Sequence, residues 1–147
     1  MKSFAFDQEM VLKLRKFYED EARIELGRAV GVLSELETKL YVLGQERIRA
    51  QAAQFDPANS AGDMQQYMLY LIRLDNKKEL LLKEAAIAEL KVEETREAFL
   101  EASRERKIMD KLKEKRLQEY RKLILITEGK ELDEVSASAQ IRLEKTA

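Results

Sequence analysis

The feature that most constrains this chain is a repeating pattern of apolar side chains on both sides of one short segment that breaks helices. The breaker, residues 54–62, contains Pro57, the only proline in 147 residues. Apolar residues recur at spacings built from threes and fours before and after it, a spacing that keeps one stripe of a helix facing a partner helix. The positions are Ala22, Leu26, Ala29, Leu33, Leu36, Leu40 and Leu43 before the breaker, and Tyr67, Leu71, Leu74, Leu81, Ala85, Ala88, Val92, Phe99, Ala102 and Met109 after it.

The two patterned arms predict an all-α protein, an antiparallel two-helix coiled-coil hairpin. We expect one domain over residues 1–147. Arm one should occupy about residues 8–53, the loop 54–62, arm two about 63–128, and a weakly helical or frayed tail 129–147. Arm two is about 20 residues longer than arm one, so a longer C-terminal helix should project beyond the pairing.

Local signals refine the two arms. Asp63 is expected to cap the second helix together with Gln66, three residues on, as a variant of the capping box. Gly27, Gly31 and Gly44 lie inside the first arm and weaken it by up to roughly 1 kcal/mol each relative to alanine. They either permit close helix approach or local bending, or are simply tolerated inside a long paired helix.

The residue inventory excludes most catalytic chemistry. The chain has no histidine and no cysteine, which removes Ser-His-Asp and Cys-His systems and the common zinc sites. Its five glycines are scattered and build no phosphate-binding loop. A two-helix hairpin also offers no pocket in which to desolvate carboxylates. We therefore expect no enzyme activity and no cofactor.

Targeting and membrane signals are missing from the sequence. The N-terminus lacks an apolar run long enough for a signal peptide. The longest uncharged apolar runs, Met68–Ile72 and Leu123–Ile126, are far too short to span a bilayer. The sequence therefore predicts a cytoplasmic protein that does not insert into membranes.

Charge is unevenly distributed along the chain, although its formal net value is only −1. Residues 19–37 and 84–101 each contain six acidic and two basic side chains, whereas residues 104–122 contain nine basic and four acidic ones. The basic block is either a solvated helix face or a surface that docks on an acidic protein. Nucleic-acid binding is disfavoured, because only Tyr120 offers an aromatic ring for base stacking.

Aromatic residues mark both ends of the expected hairpin. Phe4 and Phe6 precede the first helix and should either pack on the end of the hairpin or insert into a partner. Tyr67 and Tyr70 begin the second arm, and they either close the hairpin tip or leave an exposed docking site there.

Residues at the two ends of the chain resemble a known family. These are Phe4-x-Phe6 with the following Met10–Arg15 and Glu21-Ala22, the basic run Arg104–Tyr120, and the trailing Lys130–Glu134. In order and position they resemble the flagellar type III export protein family FliJ. The heptads between them would suit any coiled coil.

The resemblance implies a central stalk for the hexameric flagellar export ATPase, which would promote ring assembly and ATPase activity. It also implies contacts with the cytoplasmic domain of the export gate and with substrate chaperones, at the base of the flagellum, beside the membrane-embedded export apparatus. The ATPase-binding residues carried over to this chain are Phe4, Phe6, Leu12, Leu14, Arg104, Arg106, Lys107, Lys111, Lys115, Arg116 and Tyr120. Those carried over for the gate are Leu43, Tyr70 and Leu74.

Three rival functions are compatible with the same pattern. The chain could be the equivalent stalk of a virulence secretion system, which genomic neighbours would separate from a flagellar one. It could be a coiled-coil holdase chaperone, which would bind clients near the loop and tolerate deletion of residues 104–147. A purely structural coiled coil would form a stable parallel oligomer.

Overall fold

The computed structural model describes residues 3–146 and contains two helices. Helix α1 spans Glu9–Gln54 and helix α2 spans Ala61–Thr146, and no strand occurs in this part of the chain. The all-α prediction from the apolar periodicity is therefore confirmed. The helix boundaries next to the breaker lie within two residues of those expected from the sequence.

The chain packs as two compact units, and both helices contribute to each of them. One unit is Tyr18–Ala102, here called the loop unit because it contains the connection between the helices. The other comprises the described parts of Met1–Phe17 and Ser103–Ala147, here called the terminal unit.

The core of the loop unit is a narrow seam between α1 and α2. Every seam position that the sequence predicts in this unit is buried or half-buried. Burying each leucine contributes roughly 1.5–3 kcal/mol. The buried residues of the central cluster are Leu36, Leu43, Ala50, Leu74, Leu81, Ala85 and Ala88.

One carboxylate lies inside this seam, which the apolar pattern did not predict. Glu19 is buried, and Arg23 Nη2 donates to its Oε1 at 3.2 Å. The guanidinium of Arg23 also lies 5.5 Å from the centre of the Phe99 ring on α2, a cation–π contact. A buried charge requires a partner to offset its desolvation. This pair therefore restricts which part of α1 can lie beside Phe99.

The loop between the helices is held by side chains that bond its backbone. Asn59 Nδ2 donates to the carbonyl oxygens of Ala53 at 2.6 Å and Gln54 at 3.3 Å, which satisfies acceptors at the end of α1. Within the loop, Asp56 Oδ1 accepts from the backbone N–H of Ala58 at 2.9 Å. These bonds explain how six residues reverse the chain direction.

The start of α2 differs from the sequence prediction. Ser60, not Asp63, is the capping residue, and Asp63 lies three positions later in a reciprocal capping box. The backbone N–H of Asp63 donates to Ser60 Oγ at 3.1 Å, and the backbone N–H of Ser60 donates to Asp63 Oδ2 at 3.0 Å. The helix therefore begins two residues earlier than expected.

Helix α2 also continues beyond the break expected at Gly129. It runs to Thr146, whose hydroxyl donates to the carbonyl oxygen of Arg142 at 3.1 Å. Every residue from 130 to 146 is exposed, so this segment packs against nothing in the described part of the chain. A single glycine costs a helix only about 1 kcal/mol, and here it does not end one.

The glycines of α1 provide the first test of this fold. An added Cβ at Gly27, Gly31 or Gly44 would meet no atom within 4 Å, so close approach within this chain does not require them. Replacing each by alanine should raise the free energy of unfolding by about 1 kcal/mol, because alanine restricts the unfolded backbone. Urea unfolding followed by circular dichroism would measure this.

The matched control is Gln45→Gly, at an exposed α1 position beside Gly44. It should lower the free energy of unfolding by somewhat less than about 1 kcal/mol, because glutamine is a slightly poorer helix former than alanine. A loss of stability in the three glycine variants would contradict the packing described here.

The capping box gives a second test, based on pH. The backbone and hydroxyl bonds to Ser60 hold the pKa of the Asp63 carboxyl below its usual value. A depressed pKa contributes stability that is present above the unfolded-state pKa and is lost as pH falls through the folded-state pKa. Asp63→Asn should therefore destabilise the protein most at neutral pH. In acid, below the folded-state pKa, the stability difference from the unsubstituted protein should shrink.

The measurement is urea unfolding of both proteins across this pH range. A stability difference that stayed constant with pH would show that the Asp63 carboxylate does not stabilise the start of α2 by its charge.

Candidate functional site

The non-helical N-terminal segment of the terminal unit lies against α2. The rings of Phe4 and Tyr120 have centroids 5.5 Å apart and planes inclined by 45°. Such an aromatic pair contributes about 0.5–1.5 kcal/mol beyond its area burial. Phe6 is buried, so the segment is anchored at two aromatic positions. Of the two alternatives for these phenylalanines, packing on the protein's own end is the one observed.

A shallow groove of about 370 Å³ runs beside this contact. Four of the residues predicted to bind an ATPase line it, namely Phe4, Phe6, Arg116 and Tyr120. Leu123, which the site prediction did not include, also lines the groove and is largely exposed. The groove therefore presents apolar surface next to one guanidinium and the carboxylates of Asp7 and Glu119.

Two other predicted contact residues differ sharply in exposure. Leu12 is only 1 % exposed and belongs to the core of the terminal unit. Leu14, two residues later, is about half exposed on another face of α1. Leu12 and the buried Phe6 therefore hold the unit together, whereas Leu14 is available at its surface.

Two ion pairs join α1 to α2 in the terminal unit. Lys113 Nζ lies 2.9 Å from Glu9 Oε2, and Arg15 Nη1 lies 2.6 Å from Glu105 Oε2. The hydrogen bond from Lys113 lowers the pKa of the Glu9 carboxyl, with smaller electrostatic contributions from Lys113 itself and from nearby Lys13 and Lys16. These pairs were missed by sequence reasoning, because they depend on which residues of two distant segments meet.

The predicted basic residues fall on two different faces of α2. Spacings of three, four and four residues place one set on a single face that points away from α1, and all its members are exposed. We call it the basic face, and it consists of Arg104, Lys107, Lys111 and Lys115. Lys122 continues it at the next spacing of seven, although the site prediction left it out.

The three lysines Lys107, Lys111 and Lys115 form no ion pair with any residue between 3 and 146. Arg106, by contrast, lies on the side of α2 that faces α1 and forms an ion pair with Asp110. Its side chain is half-buried, so Arg106 contributes to packing in the terminal unit and is less accessible to a partner than the three lysines. The sequence prediction grouped these residues because they are neighbours along the chain.

A second groove lies in the loop unit. It has a volume of about 610 Å³, and the three residues predicted to bind the export gate, Leu43, Tyr70 and Leu74, all line it. Leu43 and Leu74 are buried, so only their edges reach its floor, whereas Val42 on its rim is more than half exposed. Lys39 and Lys77 also line this groove, with Glu46 and Glu84.

Tyr70 is held in this groove by a hydrogen bond. Its hydroxyl donates to Glu46 Oε1 at 3.0 Å, across the two helices. That bond raises the pKa of the Tyr70 phenol above its usual value. The resulting surface has a small apolar floor, a phenol edge and a rim of mixed charge, which suits an apolar side chain of another protein.

Between residues 3 and 146, no group of three or more acidic side chains is arranged to hold a metal ion. Neither helix, as far as it is described, contains a stretch apolar enough to cross a membrane.

Comparison with known proteins identifies the family. The profile of the family described as "Flagellar FliJ protein" matches residues 6–145, which is nearly the whole chain. Searches of curated proteins and of solved structures find no match. Because the match extends through both helices and nearly to both ends of the chain, this protein belongs to the FliJ family of flagellar proteins, which are components of flagellar export.

Proposed function

We propose that this protein is the central stalk of the flagellar export ATPase ring. It promotes assembly and activity of the hexamer and connects it to the export gate and to substrate chaperones. ATP hydrolysis belongs entirely to the partner. The protein acts in the cytoplasm, peripherally associated with the export apparatus at the flagellar base. The observation that carries the proposal is the basic face, with its three lysines free of ion pairs among the described residues.

The basic face suits a protein partner with acidic surface. Exposed lysines contribute little to the free energy of folding, so their contribution would come from contacts with a partner. Cations along one helix face steer an acidic partner and fix its orientation more than they raise affinity. At physiological salt the Debye length is about 8 Å, so the attraction acts at short range. Such contacts can form and break as subunits of a ring change conformation.

The terminal groove gives the same end of the protein a second type of contact. Phe4, Tyr120 and the exposed Leu123 supply apolar surface, and Arg116 lies beside them. An apolar side chain of a partner would pack on this surface, whose charged lining is mixed, with Asp7 and Glu119 as well as Arg116. The basic face and the groove together make the terminal unit asymmetric, and an asymmetric stalk contacts the subunits around it unequally.

The groove of the loop unit is the proposed contact with the export gate. Its apolar floor at Leu43 and Leu74 and the fixed Tyr70 ring fit an apolar side chain of the gate's cytoplasmic domain. Val42 lies on the accessible rim and extends the apolar surface. Binding there would leave the terminal unit available to the ATPase, because none of its residues takes part.

The basic face generates a prediction for ATPase stimulation. The triple variant Lys107→Glu, Lys111→Glu and Lys115→Glu should raise the Kd for the export ATPase by about tenfold or more, because it replaces three attractions by repulsions. It should also abolish stimulation of ATP hydrolysis at protein concentrations where the unsubstituted chain stimulates. Steady-state hydrolysis and ring formation by the purified ATPase would be measured together.

The matched control reverses three exposed cations elsewhere on α2, at Lys130, Arg142 and Lys145, which makes the same change in net charge. It should retain stimulation. If both triple variants stimulate normally, the basic face is not the docking surface. A holdase function would then be favoured if client binding also survives deletion of residues 104–147.

The gate groove generates a separate prediction. Val42→Asp should raise the Kd for the gate's cytoplasmic domain roughly tenfold, because it buries an unpaired carboxylate against apolar surface. Stimulation of the ATPase should be unchanged. Binding would be measured by calorimetry with the purified gate domain.

The control is Val32→Asp, at a similarly exposed position on α1 outside this groove. If both substitutions weaken binding of the gate domain equally, or if neither weakens it, the groove is not the gate site.

A further inference from the structure

The side of α2 that faces away from α1 in the loop unit carries a second apolar stripe. Its apolar members are all more than half exposed. Together with two polar positions they follow spacings of three and four, the spacing of a helix-pairing seam. We call this stripe the outer seam, and it consists of Leu69, Ile72, Asn76, Leu80, Lys83, Ile87 and Leu90.

The outer seam is distinct from the surfaces used in the proposed function. It shares no residue with the gate groove, whose contacts lie on the side of α2 nearer α1. It extends over residues 69–90, roughly 32 Å of helix at 1.5 Å per residue. Isolated exposed leucines need no explanation, but a stripe in helix-pairing register over six turns does.

The order of residues along the outer seam reads nearly the same in both directions. If two copies align antiparallel about an axis beside Leu80, Leu69 of one copy lies opposite Leu90 of the other, and Ile72 lies opposite Ile87. The two polar positions also coincide, because Asn76 then lies opposite Lys83. A contact that uses the same surface on both copies requires this kind of self-complementarity.

Charges beside the outer seam support the same alignment. Glu79 of one copy comes near Lys83 of the other. The two-fold axis generates this pair twice. Glu79 and Lys83 are exposed and make no ion pair within residues 3–146. Opposite charges at these flanking positions set partner choice and orientation in paired helices.

We propose that the outer seam is a homodimerisation surface, on which a second copy of this chain docks antiparallel. The occupant is another copy because apolar residues, polar residues and flanking charges all match under one two-fold axis. Pairing would convert two hairpins into a four-helix arrangement and remove five exposed apolar side chains per copy from water. Asn76 and Lys83 would fix the register, as polar residues in helix seams do.

The first experiment measures self-association of the full chain by sedimentation equilibrium over a range of concentrations. We expect a monomer–dimer equilibrium. The double variant Ile72→Lys and Ile87→Lys should raise the dimer Kd at least about tenfold, because the introduced ammonium groups face one another across the axis. Circular dichroism checks that helicity is retained.

The matched control places two lysines at exposed apolar positions of α1, as Val30→Lys and Ile48→Lys, and should leave the dimer Kd unchanged. A chain that stays monomeric at every concentration overturns the proposal. So does equal weakening by both double variants.

The second experiment tests the orientation, and it exploits the absence of cysteine from the chain. Leu69→Cys and Leu90→Cys are oxidised separately and as a mixture. In the antiparallel dimer the disulfide forms in the mixture, because only there do the two sulfurs meet within bonding distance. Efficient crosslinking of either variant alone would indicate parallel pairing and overturn the proposal. These assays need no ATPase or gate, so they can fail independently of the proposed function.

Discussion

The seam between α1 and α2 is the interaction on which the rest of this structure depends. A pair of helices buries one stripe of each helix and leaves the remaining faces in water, so the fold has no deep interior. Leu36, Leu43, Leu74 and Leu81 belong to the buried core of this seam, together with alanines of both helices. Functional surfaces must therefore be built on the outside, as grooves and charged faces instead of enclosed pockets.

Sequence periodicity predicted this seam well, because burial on a helix follows directly from spacing. It did not predict where α2 begins and continues. Ser60 and Asp63 both suit a capping position, and only the backbone bonds decide between them. Gly129 suggested a break, yet one glycine costs too little to end a helix. Contacts such as Glu9 with Lys113 depend on the register of distant segments, which no local pattern encodes.

The sequence indicated which residue types form the candidate sites, but not how their side chains are arranged in space. The basic block was evident from the sequence, yet neighbouring residues of a helix point in different directions. Arg104 and Lys107 lie on the exposed face, whereas Arg106 pairs with Asp110 on the side towards α1. Phe6 and Leu12, both predicted to contact the ATPase, have buried side chains, although Phe6 also lines the terminal groove. Only helix geometry separates side chains that support the protein from those that can meet a partner.

Amino-acid substitutions in the seam and on the outer faces should therefore have different effects. Substitutions in the seam alter stability, because they remove buried leucine or alanine packing. Substitutions at Lys111 or Val42 alter a surface that the fold does not require, so partner binding can change while the hairpin persists. Glu19 is the exception, since its buried carboxylate accepts a hydrogen bond from Arg23, whose guanidinium lies over the Phe99 ring of α2. Losing Arg23 would leave that charge buried with one partner fewer, a cost larger than that of an exposed ion pair.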